Sequence, residues 1–192
     1  MTRPRIKFTV NDYMTAPPGK RYQLLDGEMI LLEGETDLAP APSDKHQAIV
    51  GELFAALHRF ITDNRLGRIR VSPYDVVLSN YDVVQPDLLF VSNARSSIIT
   101  EANIQGAPDL VVEILSPGTT QYDRGYKRAL YSRTGVQEYW LVDPDAETVE
   151  VLTESDRGLI PLATYRRGDT LTSPLLAGLD LDLEQILGGG TP

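Results

Sequence analysis

Apolar positions in this chain follow two rhythms. From Asp44 to about Asn64 they recur every three or four residues (Ile49, Leu53, Ala56, Leu57, Phe60, Ile61), which predicts an amphipathic helix with Ser43 as its N-cap. A second helix is predicted from about Gln121 to Thr134, between the turn Ser116 to Thr120 and a stop at Gly135. A short capped helix at Thr9 to Met14 ends at Ala16-Pro17-Pro18-Gly19. Elsewhere the apolar residues come in short, strand-like runs. Arg21 to Leu25 and Glu28 to Leu32 flank Asp26-Gly27, a two-residue hairpin signal. Arg68 to Leu78 and Val83 to Val91 read as two long strands joined through Ser79 to Asp82, with Tyr-Asp-Val-Val echoed at 74–77 and 81–84. Leu110 to Leu115 and Val136 to Val142 follow as strands, the first reached through a connector, Ser92 to Gly106, with one helical turn. Beyond Asp143, Thr148 to Leu152, Gly158 to Tyr165 and Thr170 to Leu171 suggest a small antiparallel addition to the main sheet. Gly178 to Leu183 reads as an edge strand or docking segment. Leu38 to Ser43 is a Pro-rich loop, and Gly188 to Pro192 a frayed tail.

Composition narrows the picture. With 192 residues, 42% hydrophobic and 23% charged, the chain is expected to form one globular domain able to bury a core. No apolar run approaches the roughly 18 residues of a membrane helix, and the basic start, Met1 to Lys7, leads into no long apolar stretch, against a signal peptide. There is no cysteine. Disulfides, Cys-based zinc sites and thiol nucleophiles are therefore excluded, and a cytoplasmic location is the expectation. A net charge of -9 gives no overall basic face for nucleic acid. The local clusters Arg65/Arg68/Arg70, Arg124/Lys127/Arg128 and Arg166/Arg167 read first as solvated faces.

Candidate chemistry lies between Gln85 and Asp143. Glu113 sits among Val111, Val112, Ile114 and Leu115, and an unpaired carboxylate in such a strand is destabilising unless a cation, a metal or a proton compensates it. Strand alternation puts Val111, Glu113 and Leu115 on one face. Asp87 precedes the neighbouring apolar run, and Lys127 lies on the next helix. Two acids and a lysine suit Mg²⁺ or Mn²⁺-assisted attack on a phosphodiester, because such ions accept one or two carboxylates and keep several waters. Each residue also has a structural reading. Asp87 could cap a strand start, Glu113 could pair with Lys127 or Arg128, and Asp123 could form an ordinary helix pair with Lys127. His46, in the first turn of the long helix, reads as a surface or capping residue, and His58 is assigned nothing.

A set of motifs carries a family resemblance: Tyr22-Gln23-Leu24-Leu25-Asp26-Gly27-Glu28, Ser43-Asp44-Lys45-His46, Gln85-Pro86-Asp87, the run Pro108 to Pro117, Asp123-Arg124-Gly125-Tyr126-Lys127, and the run Gly135 to Pro144. Together they resemble the Uma-two family of restriction-endonuclease-like proteins, within the PD-(D/E)XK nuclease superfamily. The resemblance implies an α/β (α+β) fold, restriction-endonuclease-like, with a mixed central sheet flanked by helices. A nuclease core at about 43–143 would carry an N-terminal hairpin at about 20–33 and a C-terminal β extension at about 147–187. It implies Asp87 and Glu113 as the metal-binding acids. The usual superfamily lysine position, two residues after the second acid, holds Leu115, and Lys127 matches the lysine this family uses instead. Gln23 departs from a Glu common in the opening motif, which leaves the hairpin's accessory role open.

The activity so implied is that of a Mg²⁺- or Mn²⁺-dependent endonuclease acting on DNA, working as a homodimer so that both strands are cut. Tyr139 and Trp140 of strand Val136 to Val142 are either its contact surface or core. The alternative is a nuclease-fold module that binds nucleic acid or a protein partner without cutting. A glycosidase using Asp87 and Glu113 is weaker, because it leaves Lys127 without a role.

Overall fold

In the computed structural model, which describes residues 6–17, 21–32 and 43–188, the local signals produce the expected elements. Thr9 and Asp12 cap each other reciprocally at the start of α1 (Val10–Met14). Asp26 and Gly27 both take positive φ, 50° and 77°, so the turn between β1 (Tyr22–Leu25) and β2 (Glu28–Leu31) has the left-handed geometry that Asp-Gly tolerates. The Pro-rich loop lies outside the described residues except for Ser43. Its hydroxyl accepts the His46 N–H at 3.2 Å and opens α2 (Asp44–Asp63), which buries Ile49, Leu53, Leu57 and Ile61 at four-residue spacing.

The two long strands expected next are each divided. Arg68 to Leu78 becomes β3 (Gly67–Val71) and β4 (Val76–Ser79), and Val83 to Val91 becomes β5 (Asp82–Val84) and β6 (Leu88–Ser92). Pro73 and Pro86 fall in the gaps, where a residue without an N–H cannot continue a ladder. The division matters because it shares the chain between two sheets. The echoed valines do pair, Val76 with Val84 and Val77 with Val83. After a 3₁₀ turn at Asn93–Ile98, the connector adds a short strand that its polar composition did not announce, β7 (Ile104–Gln105), parallel to β4.

Then follow β8 (Leu110–Ile114), α3 (Thr120–Tyr122), a π-helical turn (Asp123–Lys127) and α4 (Arg128–Thr134). The helix stops at Gly135, whose φ of 92° is the left-handed cap predicted there. The chain continues through β9 (Glu138–Asp143), β10 (Thr148–Thr153), β11 (Ile160–Arg166), β12 (Thr170–Thr172), β13 (Asp180–Asp182) and α5 (Leu183–Leu187). The expected tail lies outside the described residues from 189 onward.

One sheet runs β11-β10-β9-β8-β6-β3, mixed because β8 and β9 are parallel and the other pairs antiparallel. A second runs β2-β1-β5-β4-β7, and β12 pairs with β13. The six-stranded sheet is covered on both faces. Leu110, Val112, Ile114, Trp140 and Val142 pack toward α2, and α5 docks on the same core through Leu183, Ile186 and Leu187. Val111, Leu115, Tyr139 and Leu141 face α4 and the five-stranded sheet. Tyr139 and Trp140 are fully buried, so the contact-surface reading of that pair gives way to core.

Candidate active site

β8 is interior to its sheet and buried along its whole length, so alternation leaves Glu113 on the face toward α4, 4% exposed. Asp87 reaches it from the link between β5 and β6, just after Pro86. Its Oδ2 accepts the Ile114 backbone N–H at 2.8 Å, which fastens the carboxylate to the end of β8, while the side chain stays 20% exposed.

Lys127 closes the π-helical turn and is also buried. Its Nζ lies 3.0 Å from Glu113 Oε1 and 2.8 Å from Asp123 Oδ1, four residues earlier on the same turn. One turn further on, Tyr131 donates its hydroxyl to the same Glu113 Oε1 at 2.7 Å. Tyr139 stands edge-on to Tyr131, with ring centroids 5.0 Å apart, and donates to the Asp123 carbonyl at 3.1 Å. The structure thus brings Asp87, Glu113 and Lys127 together as the sequence suggested. Asp123 pairs with Lys127 as read, but inside the protein rather than on a helix surface. Tyr131 was not foreseen; its place one helical turn after Lys127 was the available signal.

Burial pushes the Glu113 carboxyl up to about 8; Lys127 opposes the shift, Asp123 and Asp87 add to it, and the Tyr131 hydrogen bond opposes it. Burial works against the Lys127 ammonium, but Glu113 and Asp123 outweigh it and its pKa ends above its ordinary value. One cation and two acids would leave a net negative charge in a dry place. Holding a proton on Glu113 while Asp123 pairs with Lys127 removes it.

A cavity of about 290 Å³ opens over this cluster, lined by Asp87, Glu113, Lys127, His46, Gln23 and Arg21, among others. His46 corrects the surface reading. Its backbone N–H does meet the Ser43 cap, but its imidazole is turned inward, with Nε2 3.5 Å from Asp87 Oδ2. Gln23 arrives from β1 and is 5% exposed, so the first hairpin borders the same cavity.

Among the described residues, no three His, Cys, Asp or Glu side chains converge as a metal cluster. Two carboxylates on one cavity nonetheless fit a hard ion such as Mg²⁺, which fills its remaining positions with water, and do not fit a closed zinc site. No helix among the described residues is long and apolar enough to cross a membrane.

A curated protein of Synechocystis sp. (strain ATCC 27184 / PCC 6803 / Kazusa), "Uncharacterized protein slr1290", is 38% identical over 65 residues. The match covers 33% of this chain and 34% of that one, so it spans about a third of the relative's length. The crystal structure of "a putative nuclease belonging to DUF820" from Anabaena variabilis ATCC 29413 superimposes with a TM-score of 0.74 at 21% identity, covering 95% of this chain and 98% of that one. It shares the α+β fold. The model of the family described as "Putative restriction endonuclease" matches residues 10–184, and the chain belongs to that family, Uma2.

Proposed function

We propose that this chain is a divalent-metal-dependent nuclease that hydrolyses phosphodiester bonds in DNA, with Asp87 and Glu113 holding Mg²⁺ or Mn²⁺ and Lys127 as the third catalytic residue. The observation that carries the reading is the convergence of these side chains, from three elements, on one cavity. Segment 43–143 supplies all three and is the catalytic core in this reading, with the hairpin and the C-terminal extension as additions to one domain.

The ion would polarise a phosphoryl oxygen and acidify a water. The chain's residues do the rest. Asp87 is held in place by the Ile114 N–H and needs little reorganisation to serve as a ligand. Lys127 and Tyr131 share Oε1 of Glu113, which leaves the ion the second oxygen. The Lys127 ammonium, fixed and water-poor, stabilises negative charge as it builds on the phosphate. A second copy of the chain would present a second site to the other DNA strand. Sedimentation of the protein only as a monomer at micromolar concentration would remove that part.

The cluster of Lys127 with Glu113 and Asp123 favours one rival, a nuclease-fold module that binds nucleic acid or a protein without cutting, because it compensates the acids with no metal. Supercoiled DNA incubated with the protein and Mg²⁺ or Mn²⁺ separates the two. Cleavage lost in both Asp87→Ala and Glu113→Ala supports the nuclease. Cleavage that survives both substitutions points to a contaminant, and metal-dependent stabilisation without cleavage points to the binding module.

A further inference from the structure

The cavity wall contributed by the five-stranded sheet carries polar atoms that the scheme above does not use. Gln23 is 95% buried by its 5% exposure, borders the cavity shared by Asp87 and Glu113, and its Oε1 is buried without a hydrogen-bond donor among the described residues. Buried polar atoms left in this state are uncommon, and a water, an ion or a catalytic role is the usual reason for one. Gln85, on the same cavity, repeats the pattern. Its Nε2 donates to Asp75 Oδ1 at 2.8 Å and to Tyr13 Oη at 3.2 Å, which fixes the amide orientation, and its Oε1 is buried without a donor among the described residues.

Asp87, Glu113 and the two glutamine side chains therefore border one space, and the ammonium that reaches it, Lys127, is already committed to Glu113 and Asp123. We propose that Gln23 Oε1 is a third protein oxygen for the divalent ion at Asp87 and Glu113; the proposal rests on the metal-dependent reading above.

The donor type is suitable, since hard divalent cations take amide and carboxylate oxygens alike. Rotation about the last side-chain torsion of a glutamine is soft, and Oε1 breaks no hydrogen bond in turning toward the cavity. A neutral donor also suits this place. Glu113 and Asp123 already share a single buried lysine with Asp87 nearby, and a further carboxylate on β1 would add repulsion whenever the ion is absent. The amide thus gives an ion site of moderate affinity that stays stable when empty.

Mn²⁺ titrated calorimetrically into the intact chain tests this with Gln23→Met, Gln23→Glu and Asp87→Asn beside the unmodified protein. Gln23→Met should weaken Mn²⁺ binding about tenfold or more, Gln23→Glu should strengthen it by a similar factor, and Asp87→Asn should abolish it. In EDTA, Gln23→Met should melt at or above the unmodified protein, because it removes an unpaired atom rather than a bond. The Mn²⁺-induced rise in melting temperature should shrink.

Unchanged Mn²⁺ affinity in both Gln23 variants, with binding lost in Asp87→Asn, would overturn the role of Gln23 and leave the metal site standing. An unmodified chain that binds no Mn²⁺ would overturn both. Gln23→Met melting well below the unmodified protein in EDTA, with Gln23→Glu no tighter, would make the amide a structural acceptor and end the proposal.

Discussion

Glu113 and Glu138 sit on adjacent parallel strands, each almost completely buried, and burial pushes both carboxyls above their usual range. Their surroundings differ. Glu138 accepts from Trp140 Nε1 at 2.6 Å, Ser173 Oγ at 3.1 Å and the Leu175 N–H at 3.1 Å, and these neutral donors tie the segment before β13 to the sheet. Glu113 has a lysine, two further acids nearby and a cavity. A buried acid with a raised pKa therefore does not mark a site by itself. What separates the two is whether the charge is solved locally by donors or left open to a space that a ligand can enter. Asp109, 1% exposed, belongs with Glu138: the Ser92 N–H and the Gln137 amide satisfy it, with Arg95 alongside.

The sharpest way to break this contrast is catalytic. Glu113→Gln should lower metal-dependent DNA cleavage on the order of a hundredfold or more, while Glu138→Gln, assayed well below its melting point, should leave it close to wild type. Comparable losses in both would erase the distinction. Stability should show the next largest effect. Lys127→Met strands Glu113 and Asp123 without their cation and should cost about 3–5 kcal/mol in urea unfolding. A smaller change is expected at the other acid. Glu138→Gln places an amide NH₂ against one of three donors and should cost about 1–3 kcal/mol; a neutral result would mean those donors find water instead.

A further test concerns pH. The folded pKa of Glu113, about 8, lies above its ordinary 4.5, so the folded state binds more protons across that window. Its contribution to stability is fully present below about 4.5 and is lost as pH rises through 8. In metal-free buffer Glu113→Gln should flatten this fall. Glu138 has the same sign, so Glu138→Gln should flatten part of it too, and a profile unchanged by Glu113→Gln would show that this carboxyl is ionised throughout.

The helices, the hairpin and the β8 alternation were legible because each rests on local chemistry: Ser43 as a cap, Asp26-Gly27 as a turn, and Glu113 sharing a face with Val111 and Leu115. The division of two long strands was not, although Pro73 and Pro86 were visible, because pattern alone does not say that a chain crosses from one sheet to another. The same limit hid the inward turn of His46 and the position of Gln23 over the cavity. Both depend on how the five-stranded sheet and α2 meet β8, and no local spacing encodes that. Glu138 was passed over since its partners Ser173 and Leu175 lie far along the sequence.

The π-helical turn at Asp123–Lys127 sets the rotational phase of everything around it. In an α-helix each residue advances about 100°, so losing one residue from the widened turn would swing α3 and α4 against each other by roughly that angle. Asp123 and Lys127 would then lose the register that now sets Oδ1 and Nζ 2.8 Å apart. A single-residue deletion there is therefore a change of aim rather than of length: the helix would persist, pointing its cation elsewhere.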